Sequence, residues 1–258
     1  MKFKDTFKIG GKEFSSRLIM GTALYPNQLI LKNSLEASET QIVTVSIRRF
    51  DVGSNKDILK VIRKNFFILP NTAGCYSAKE AILTAELGRE ALKTDWVKLE
   101  IIGDDQTLLP DSVELLKCTN ELVKKGFKVL AYCSDDPIIC KKLEDLGCCA
   151  VMPLISPIGS ALGIRNEHNL ELIKENCKCN LIVDAGIGKP SDAARVMEMG
   201  FDGVLLNSSV ARALDPIEMA KAMKLAVIAG RKGYLSGLIE KDRYAKQTTM
   251  DEGKISNF

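Results

Sequence analysis

The strongest constraint on the fold of this chain is a unit that repeats eight times after residue 15. In each unit, a short apolar run ends in polar or small residues and is followed by a helical pattern. Runs so rich in Val, Ile, Leu and aromatic residues are typical of parallel strands that are buried on both faces. We predict strands at residues 17–22, 42–49, 66–72, 96–102, 128–133, 150–154, 180–186 and 203–208.

The alternation of strands and helices indicates an α/β fold with a parallel sheet. Eight units favour a closed (β/α)8 TIM barrel, whose usual length of about 250 residues matches the chain; a doubly wound open sheet is the alternative. Residues 3–14 predict a small hairpin that caps the bottom of the barrel, so we assign 1–15 to this N-terminal cap. Residues 231–258 are polar and predict a C-terminal tail. No linker divides the chain, which predicts a single domain over 1–258.

Several helix boundaries carry recognisable signals in the sequence. Ser77 is followed three residues later by Glu80, which predicts a capping box. Pro110 predicts the start of the helix after the fourth strand, since proline suits the first helical turn. The pairs Pro190–Ser191 and Asp215–Pro216 predict the starts of the last two helices. Each of these helices follows a predicted strand, as a barrel requires.

Charge and hydropathy argue against several classes of partner. The net charge of +3 is spread along the 258 residues, and no block of like charges suggests an arm that binds nucleic acid. The first residues lack the apolar core of a signal peptide, and no apolar run is long enough to span a bilayer. We therefore expect a cytoplasmic protein that binds neither nucleic acid nor a membrane.

Eight cysteines are unusual enough to need an explanation. In a cytoplasmic chain of this length they are expected to be reduced thiols of the core. Cys148–Cys149 and the pair Cys177 and Cys179 precede consecutive predicted strands, which leaves a metal cluster as an alternative. The single histidine, His168, lies in a polar segment and is expected at the surface, which disfavours a histidine-dependent triad. We predict neither a metal nor a cofactor.

The fourth predicted strand, WVKLEII, carries two charged residues in an apolar run. Side chains alternate along a strand, so Trp96, Lys98 and Glu100 share one face, which in a barrel would point into the interior. Burial lowers the pKa of an amine unless a carboxylate compensates, and a partly deprotonated lysine is a nucleophile toward ketones and aldehydes. Lys98 is therefore a candidate for Schiff-base formation. A purely structural ion pair in the interior is the alternative.

A second candidate carboxylate, Asp184, ends the seventh predicted strand. Active sites of TIM barrels gather at the C-terminal ends of the strands, so Asp184 can reach the space above Lys98. Glu100 and Asp184 would then supply the general acid and base. The alternative for Asp184 is a helix N-cap, although Ser191 is better placed for that role.

Three neighbouring loops predict a phosphate site. They comprise residues 153–163, which contain Gly159, and residues 186–188 and 207–209. Glycines allow backbone N–H groups to approach an anion, and helix N-termini add positive potential. Loops after the seventh and eighth strands of TIM barrels often bind phosphate. We therefore expect a phosphorylated substrate.

The chain resembles the thiazole synthases of bacterial thiamine biosynthesis along nearly its whole length. The stretches that carry the resemblance are LPNTAGC (69–75), WVKLEIIGDDQTLLPD (96–111), AVMPLISPIGSALGI (150–164), VDAGIGKPSDAA (183–194) and DGVLLNSSVARALDP (202–216). The resemblance implies a (β/α)8 fold and a transferase whose lysine forms an imine with 1-deoxy-D-xylulose 5-phosphate. It also implies reaction with dehydroglycine and with a thiocarboxylated sulfur-carrier protein, which gives the thiazole phosphate carboxylate precursor of thiamine.

The resemblance assigns roles to particular residues. The imine-forming lysine falls on Lys98, and the acid and base carboxylates fall on Glu100 and Asp184. The sugar-phosphate contacts fall on Gly159, Ala185, Gly186, Asn207 and Ser208. These positions coincide with those that the residues themselves predict.

Two departures from the family pattern concern loops. The family usually reads GTGKY after the first strand, where this chain has GTALY (21–25), and it usually has a glycine where this chain has Ala161. Neither change removes a predicted catalytic group. We expect both to alter loop geometry.

The family resemblance and the residue patterns also predict partners and leave competing functions open. The enzyme that forms dehydroglycine, an oxidase or a radical lyase, is a further expected partner, and we expect a homo-oligomer, either a dimer or a tetramer. Two alternatives remain: an aldolase-type Schiff-base barrel for another phosphosugar, and a non-catalytic barrel that binds a phosphosugar or scaffolds partners.

Cys75 and Cys133 lie near the predicted mouth and raise the idea of a sacrificial sulfur donor. Their small, apolar or aromatic neighbours and the family resemblance favour an external carrier instead.

Overall fold

The computed structural model describes residues 5–49, 62 and 64–246 of the chain. Its strands are Phe7–Ile9 (β1), Lys12–Phe14 (β2), Leu18–Gly21 (β3), Ile42–Ser46 (β4), Phe67–Asn71 (β5), Trp96–Leu99 (β6), Lys128–Cys133 (β7), Ala150–Pro153 (β8), Asn180–Asp184 (β9) and Gly203–Leu206 (β10). Its α-helices are Gln28–Ser38 (α1), Ala78–Leu92 (α2), Ser112–Lys124 (α3), Pro137–Asp145 (α4), Glu167–Asn176 (α5), Pro190–Glu198 (α6), Ser208–Ala211 (α7) and Pro216–Ser236 (α8).

Strands β3 to β10 form a closed parallel barrel. Each pairs with the next along the chain, and β10 returns to pair with β3, where Val204 lies opposite Leu18. This confirms the predicted (β/α)8 barrel and rules out the open sheet. All eight predicted strands overlap an observed one, although most end earlier than predicted. The second ends at Ser46, and a short 3-10 helix, Ile47–Arg49, follows it.

The predicted N-terminal hairpin is also confirmed. Strands β1 and β2 pair antiparallel through a turn at Gly10 and Gly11, which both have positive φ angles. Phe14 packs edge-on against Phe67 and Trp96, with ring centroids 5.6 and 6.4 Å apart. Because the two rings begin β5 and β6, the hairpin closes the end of the barrel formed by the N-terminal ends of the strands. We call this end the bottom and the opposite end the mouth.

Alternating side chains divide the core into two layers. Trp96 belongs to the cluster inside the barrel, whereas Val97, Leu99 and Ile101 belong to the cluster between the strands and the surrounding helices. This is the alternation predicted for the fourth strand. It directs Lys98, which lies between Val97 and Leu99, into the interior. No helix in the described ranges is long and apolar enough to cross a membrane.

Two helix starts differ from those predicted. Ser77 caps α2 as expected, but the Glu80 carboxylate accepts the N–H of Tyr76 rather than that of Ser77, so the capping box is only half formed. Pro110 does not open α3. It forms a bridge with Ile102, and the carboxylate of Asp111 caps the helix instead. An aspartate that can accept backbone N–H groups is the better cap, which explains the shift.

The last two helices correct further predictions. Ser191 lies inside α6, whose N-cap is Lys189, so Ser191 does not cap this helix. Asp215 caps α8 as predicted, but this helix continues to Ser236 and includes the first residues assigned to the tail. Arg231, on that helix, donates to Asp5 at 2.8 Å, which explains why the helix extends along the barrel. The predicted tail beyond residue 246 lies outside the described residues.

Candidate active site

A cavity of about 990 Å³ opens at the mouth of the barrel. We call it the mouth cavity. It brings together all of the site residues that the sequence predicts, although they come from the ends of four different strands and the loops that follow them. These are Lys98, Glu100, Gly159, Asp184, Ala185, Gly186, Asn207 and Ser208.

A buried ion cluster forms the inner end of the mouth cavity. Lys98 Nζ lies 2.8 Å from Glu100 Oε1 and 2.6 Å from Asp184 Oδ2. The three side chains are only 6, 7 and 5% exposed. The Tyr132 ring adds a cation–π contact, with its centroid 5.6 Å from Nζ. One ammonium is thus shared by two carboxylates, which leaves one negative charge in excess when both are ionised.

This cluster keeps the lysine protonated at rest. Burial lowers the pKa of Lys98, but the charges and hydrogen bonds of Asp184 and Glu100 raise it by more, so the pKa lies above that of an ordinary lysine. The sequence predicted a partly deprotonated amine only where no carboxylate compensates for burial, and that condition is not met in the resting site. Glu100 and Asp184 are the carboxylates that compensate for the burial of Lys98.

Asp184 is the group in the cluster that can exchange a proton near neutral pH. Burial raises its pKa from 3.8 to about 6, and the negative charge of Glu100 adds to the shift while Lys98 opposes it. A carboxylate with such a pKa can accept a proton from a neighbouring ammonium and return it. The cluster therefore holds a charged amine beside a carboxylate that is more basic than an ordinary aspartate.

The glycine-containing loops lie side by side at the cavity and contact one another. Gly159 has a φ angle of +72°, and a Cβ placed on it would lie 3.6 Å from Ser208 Oγ. Gly163 N–H donates to the carbonyl of Gly186 at 3.0 Å, which ties the loop after β8 to the loop after β9. A Cβ on Gly186 would collide with the side chain and backbone nitrogen of Ser156. Packing alone therefore requires a glycine at Gly186, whereas Gly159 opens onto the cavity.

The two departures from the family pattern lie in strained loops on this rim. Ala161 has a φ angle of +54° and Leu24 a φ angle of +69°, both in the left-handed region that favours glycine. The Ala161 backbone and Cβ fill the space where Gly188 would otherwise carry a side chain. The rim therefore carries local backbone strain at both positions.

Two further residues at the cavity, Tyr25 and Arg212, escaped the sequence reasoning, and the predicted Asn207 has a buried, unpartnered atom. The hydroxyl of Tyr25 and Oδ1 of Asn207 are buried without a hydrogen-bond partner in the described parts of the chain, and burial raises the pKa of Tyr25. Arg212 also lines the cavity. Asn207 was predicted, but Tyr25 and Arg212 lie in segments whose pattern says nothing about which way a side chain points. Only the closed barrel shows that both side chains line the cavity.

The cysteines do not take part in this site. All eight are free thiols, and neither Cys75 nor Cys133 lines the mouth cavity. Both pack in the outer core, with Cys133 Sγ 3.7 Å from Cys140 Sγ and Cys75 Sγ 3.4 Å from Thr84 Oγ1. Burial raises the thiol pKa of both cysteines, which makes them poor nucleophiles. Within the described residues, no three His, Cys, Asp or Glu side chains are grouped to hold a metal ion.

Nearly the whole chain matches one protein family. Residues 8–250 match the family described as thiazole biosynthesis protein ThiG. The chain is 53% identical over 254 residues to the thiazole synthase of Geobacter sulfurreducens, covering 97% of this chain and 98% of the relative. It is 51% identical over 254 residues to the thiazole synthase of Azorhizobium caulinodans, covering 98% of this chain and 96% of the relative.

Solved structures with the same architecture include a protein complex. One chain of the BexX/CysO complex from Amycolatopsis orientalis superposes with a TM-score of 0.85 at 26% identity, covering 92% of this chain and 98% of that one. Thiamine phosphate pyrophosphorylase from Pyrococcus furiosus superposes with a TM-score of 0.56 at 16% identity, covering 83% of this chain and 96% of that one. The second likeness shows the barrel fold alone.

Proposed function

The chain belongs to the ThiG family of thiazole synthases, the enzymes of thiamine biosynthesis, and on that premise we propose how its mouth cavity builds the thiazole. The substrates are 1-deoxy-D-xylulose 5-phosphate, dehydroglycine and a thiocarboxylated sulfur-carrier protein. The product is the thiazole phosphate carboxylate precursor of thiamine. The observation that carries this proposal is the buried Lys98, held between Glu100 and Asp184 at the base of the cavity.

The first step is the formation of an imine between Lys98 and the ketone of the sugar. Asp184 takes the ammonium proton, and the neutral amine attacks the ketone carbon to form a carbon–nitrogen bond. The amine proton passes to the oxygen, Asp184 returns its own proton to the resulting hydroxyl, and water leaves. The protonated imine then keeps the positive charge that the ammonium had. The cluster therefore needs no rearrangement of charge to stabilise the product of this step.

The second step moves the carbonyl along the sugar. Glu100 lies 2.8 Å from the amine nitrogen, which brings its carboxylate within reach of the carbon next to the imine. Removal of a proton from that carbon neutralises the imine and gives an enaminol. Return of a proton to the original ketone carbon, with loss of the proton on the enol oxygen to the second carboxylate, leaves the carbonyl on its neighbour. Two carboxylates beside one nitrogen suit this exchange, because one can remove a proton while the other delivers one.

The phosphate of the sugar is held by the loops opposite this cluster. Backbone N–H groups of Gly159 and of Ala185–Gly186 approach it, and the side chains of Asn207 and Ser208 complete the contacts. For Asn207 the contact has to come from the side-chain NH2 group, because the amide oxygen can only accept and the phosphate oxygens are themselves acceptors. Helix α7 has only four residues, so we assign no role to its N-terminus.

The sulfur comes from outside the chain. Cys75 and Cys133 are buried away from the cavity with raised thiol pKa values, which argues against a sacrificial cysteine. The similarity to a chain that was crystallised in the BexX/CysO complex supports a protein partner for this fold. We further propose a cytoplasmic, single-domain transferase that forms a homo-oligomer and works beside the enzyme that makes dehydroglycine.

Reductive trapping tests the proposed chemistry. The protein is incubated with 1-deoxy-D-xylulose 5-phosphate, reduced with borohydride, digested, and its peptides weighed. We expect a stable adduct on the peptide that contains Lys98. An adduct formed only with other phosphosugars would favour an aldolase-type enzyme, and the absence of any adduct would favour a non-catalytic barrel.

A further inference from the structure

Arg212 lies on the rim of the mouth cavity without an ion-pair partner in the residues that the structure describes. A Cβ placed on Gly159 would lie 3.8 Å from Arg212 Nη1 and 3.6 Å from Ser208 Oγ. The guanidinium, the hydroxyl and the glycine backbone therefore face one small volume. This volume lies among the residues proposed to hold the phosphate.

The charges around the cavity show why a second cation is needed there. Among the described lining residues, the cations are Lys98 and Arg212 and the carboxylates are Glu100 and Asp184. Lys98 is engaged by both carboxylates, which leaves the inner end with an excess negative charge. A phosphate monoester adds a charge of about −1.5 to −2 at neutral pH. Arg212 is the cation in this lining that remains available to balance it.

We infer that Arg212 binds the phosphate of the substrate and sets the preference for a phosphorylated ketose. The inference rests on the proposed function, because it takes a phosphosugar as the occupant of the cavity. A guanidinium presents two parallel N–H groups that match two phosphate oxygens, whereas a lysine supplies only a point charge. The side chain of Arg212 is exposed at rest, so it is free to close over the phosphate.

Calorimetric titration tests this role, and its measurement with inorganic phosphate does not depend on imine chemistry. Wild type, Arg212→Gln and Arg212→Lys are titrated with 1-deoxy-D-xylulose 5-phosphate, with 1-deoxy-D-xylulose and with inorganic phosphate. Arg195→Gln is the matched control, since Arg195 is also exposed but pairs with Glu167 away from the cavity lining. We expect Arg212→Gln to weaken binding of the phosphorylated ketose and of phosphate about tenfold, the size of one charge-assisted contact. Binding of the unphosphorylated ketose should not change, and Arg212→Lys should lie between.

Two results would overturn the inference. One is wild-type affinity of Arg212→Gln for both phosphorylated ligands, and the other is an equal loss for the phosphorylated and unphosphorylated ketoses. Failure of the proposed function looks different. If borohydride traps no adduct on wild type while phosphate binding still depends on Arg212, the chemistry assigned to Lys98 is wrong and the anion site stands.

A separate observation concerns Thr72, which is fully buried where the pairing of β5 with β6 ends. Its N–H donates to the carbonyl of Lys98 at 3.2 Å. Its hydroxyl donates to the carbonyl of Glu100 and accepts the N–H of the same residue, both at 2.8 Å. Strand β6 ends at Leu99, so a side chain replaces the missing strand partner of Glu100. One threonine therefore fixes the backbone of both charged residues.

We propose that Thr72 is a positioning residue that holds the Glu100 carboxylate against Lys98. The direction of the Glu100 side chain follows from its backbone, and the backbone N–H and carbonyl of Glu100 both bond to the Thr72 hydroxyl. Removing that hydroxyl would leave both groups buried and unpaired, and the loop would rotate to satisfy them. The carboxylate would then lose its alignment with the amine.

Three variants test this role by the rate of borohydride-trappable adduct formation. Thr72→Val removes the hydroxyl, Thr72→Ser keeps it, and Thr40→Val is the matched control. Thr40 is also buried, at the bottom of the barrel, and its hydroxyl lies 2.7 and 2.9 Å from the carbonyls of Leu18 and Ile42. We expect Thr72→Val to lower the rate at saturating ketose about tenfold with the half-saturating concentration unchanged, and Thr72→Ser to restore most of it.

The control separates positioning from stability. Thr40→Val should lower the melting temperature about as much as Thr72→Val while leaving the saturated rate at the wild-type value. The proposal is wrong if Thr72→Val reacts at the wild-type rate, or if Thr40→Val slows the reaction as strongly.

Discussion

Trp96 and Lys98 stand two residues apart on the same face of β6, yet they belong to two different parts of the molecule. Trp96 lies in the bottom half of the barrel, where its ring packs edge-on against Phe67 at a centroid distance of 4.8 Å. Lys98 lies in the mouth half, between two carboxylates. The bottom is filled by apolar groups that stabilise the fold, whereas the mouth buries charges whose desolvation opposes folding. Stability and the proposed chemistry are thus separated along a single strand.

A second contrast lies in how each end shares its charges. At the bottom, the Asp5 carboxylate accepts from both Arg17 and Arg231, at 2.6 and 2.8 Å. The hydrogen bond from Arg231 contributes most to lowering the pKa of Asp5. The cluster at the mouth has the opposite ratio of charges, with one ammonium between two carboxylates. Guanidinium groups do not release their protons, whereas in the proposed mechanism the lysine at the mouth passes its proton to Asp184.

Replacing the lysine at the mouth by an arginine should have the largest effect on adduct formation. Lys98→Arg keeps the positive charge but cannot form an imine, so we expect no reducible adduct with the ketose phosphate by mass spectrometry. The reverse change at the bottom, Arg17→Lys, should lower stability slightly and leave adduct formation intact. An adduct on the Lys98→Arg protein would show that another amine is the nucleophile.

Removing either carboxylate at the mouth should have the next largest effect. Glu100→Gln and Asp184→Asn should still accumulate the adduct at long times but turn over about 10²–10⁴ times more slowly, because each loses one proton-transfer group. Turnover is measured as thiazole formed in the complete assay with the carrier protein. Near-normal rates in both variants would remove these carboxylates from the mechanism.

Substitutions in the bottom half should lower stability and leave adduct formation unchanged. Trp96→Ala removes the largest ring of the interior cluster and should lower the free energy of unfolding by about 3–5 kcal/mol, measured by urea titration. The milder Trp96→Phe should lose less. In both variants the folded fraction should still form the adduct on Lys98. A folded Trp96 variant that forms no adduct would show that the two halves are not separate.

The smallest effect is expected on the rim. Ala161→Gly relieves a left-handed alanine, worth about 1–2 kcal/mol, but adds about 0.4–1 kcal/mol of entropy to the unfolded chain. We expect a net gain in unfolding free energy of about 0.5 kcal/mol and an unchanged rate of adduct formation. A loss of stability would mean that the Ala161 methyl makes contacts beside Gly188 that outweigh the strain.

Most of the architecture could be predicted from the sequence because its signals are local. Each apolar run identified a strand, and the common direction of parallel strands brought their polar ends, Lys98 and Asp184 among them, to one mouth. Strand alternation also predicts the direction of the Cys133 side chain, which points away from the mouth cavity. Tyr132 points into the barrel beside Lys98, so the next residue, Cys133, has to point outward.

The remainder depends on distances that no local pattern contains. The protonation of Lys98 is set by Asp184, which reaches within 2.6 Å only because the barrel closes. The cap at Asp111 and the end of α8 depend on tertiary contacts at Pro110 and Arg231. The charge balance that singles out Arg212 likewise requires knowing which side chains share one cavity.

The central claim is that Lys98 is a resting ammonium which Asp184 discharges. The pH dependence of the rate of borohydride-trapped adduct formation tests it most directly, in wild type and in Asp184→Asn. Below about pH 6 Asp184 is protonated and cannot accept the lysine proton, so the wild-type rate should rise with pH through about 6 and then level. Asp184→Asn should be slow at neutral pH and lack this rise. A variant that forms the adduct at neutral pH as fast as wild type, or a wild-type profile without a change near pH 6, would contradict the account.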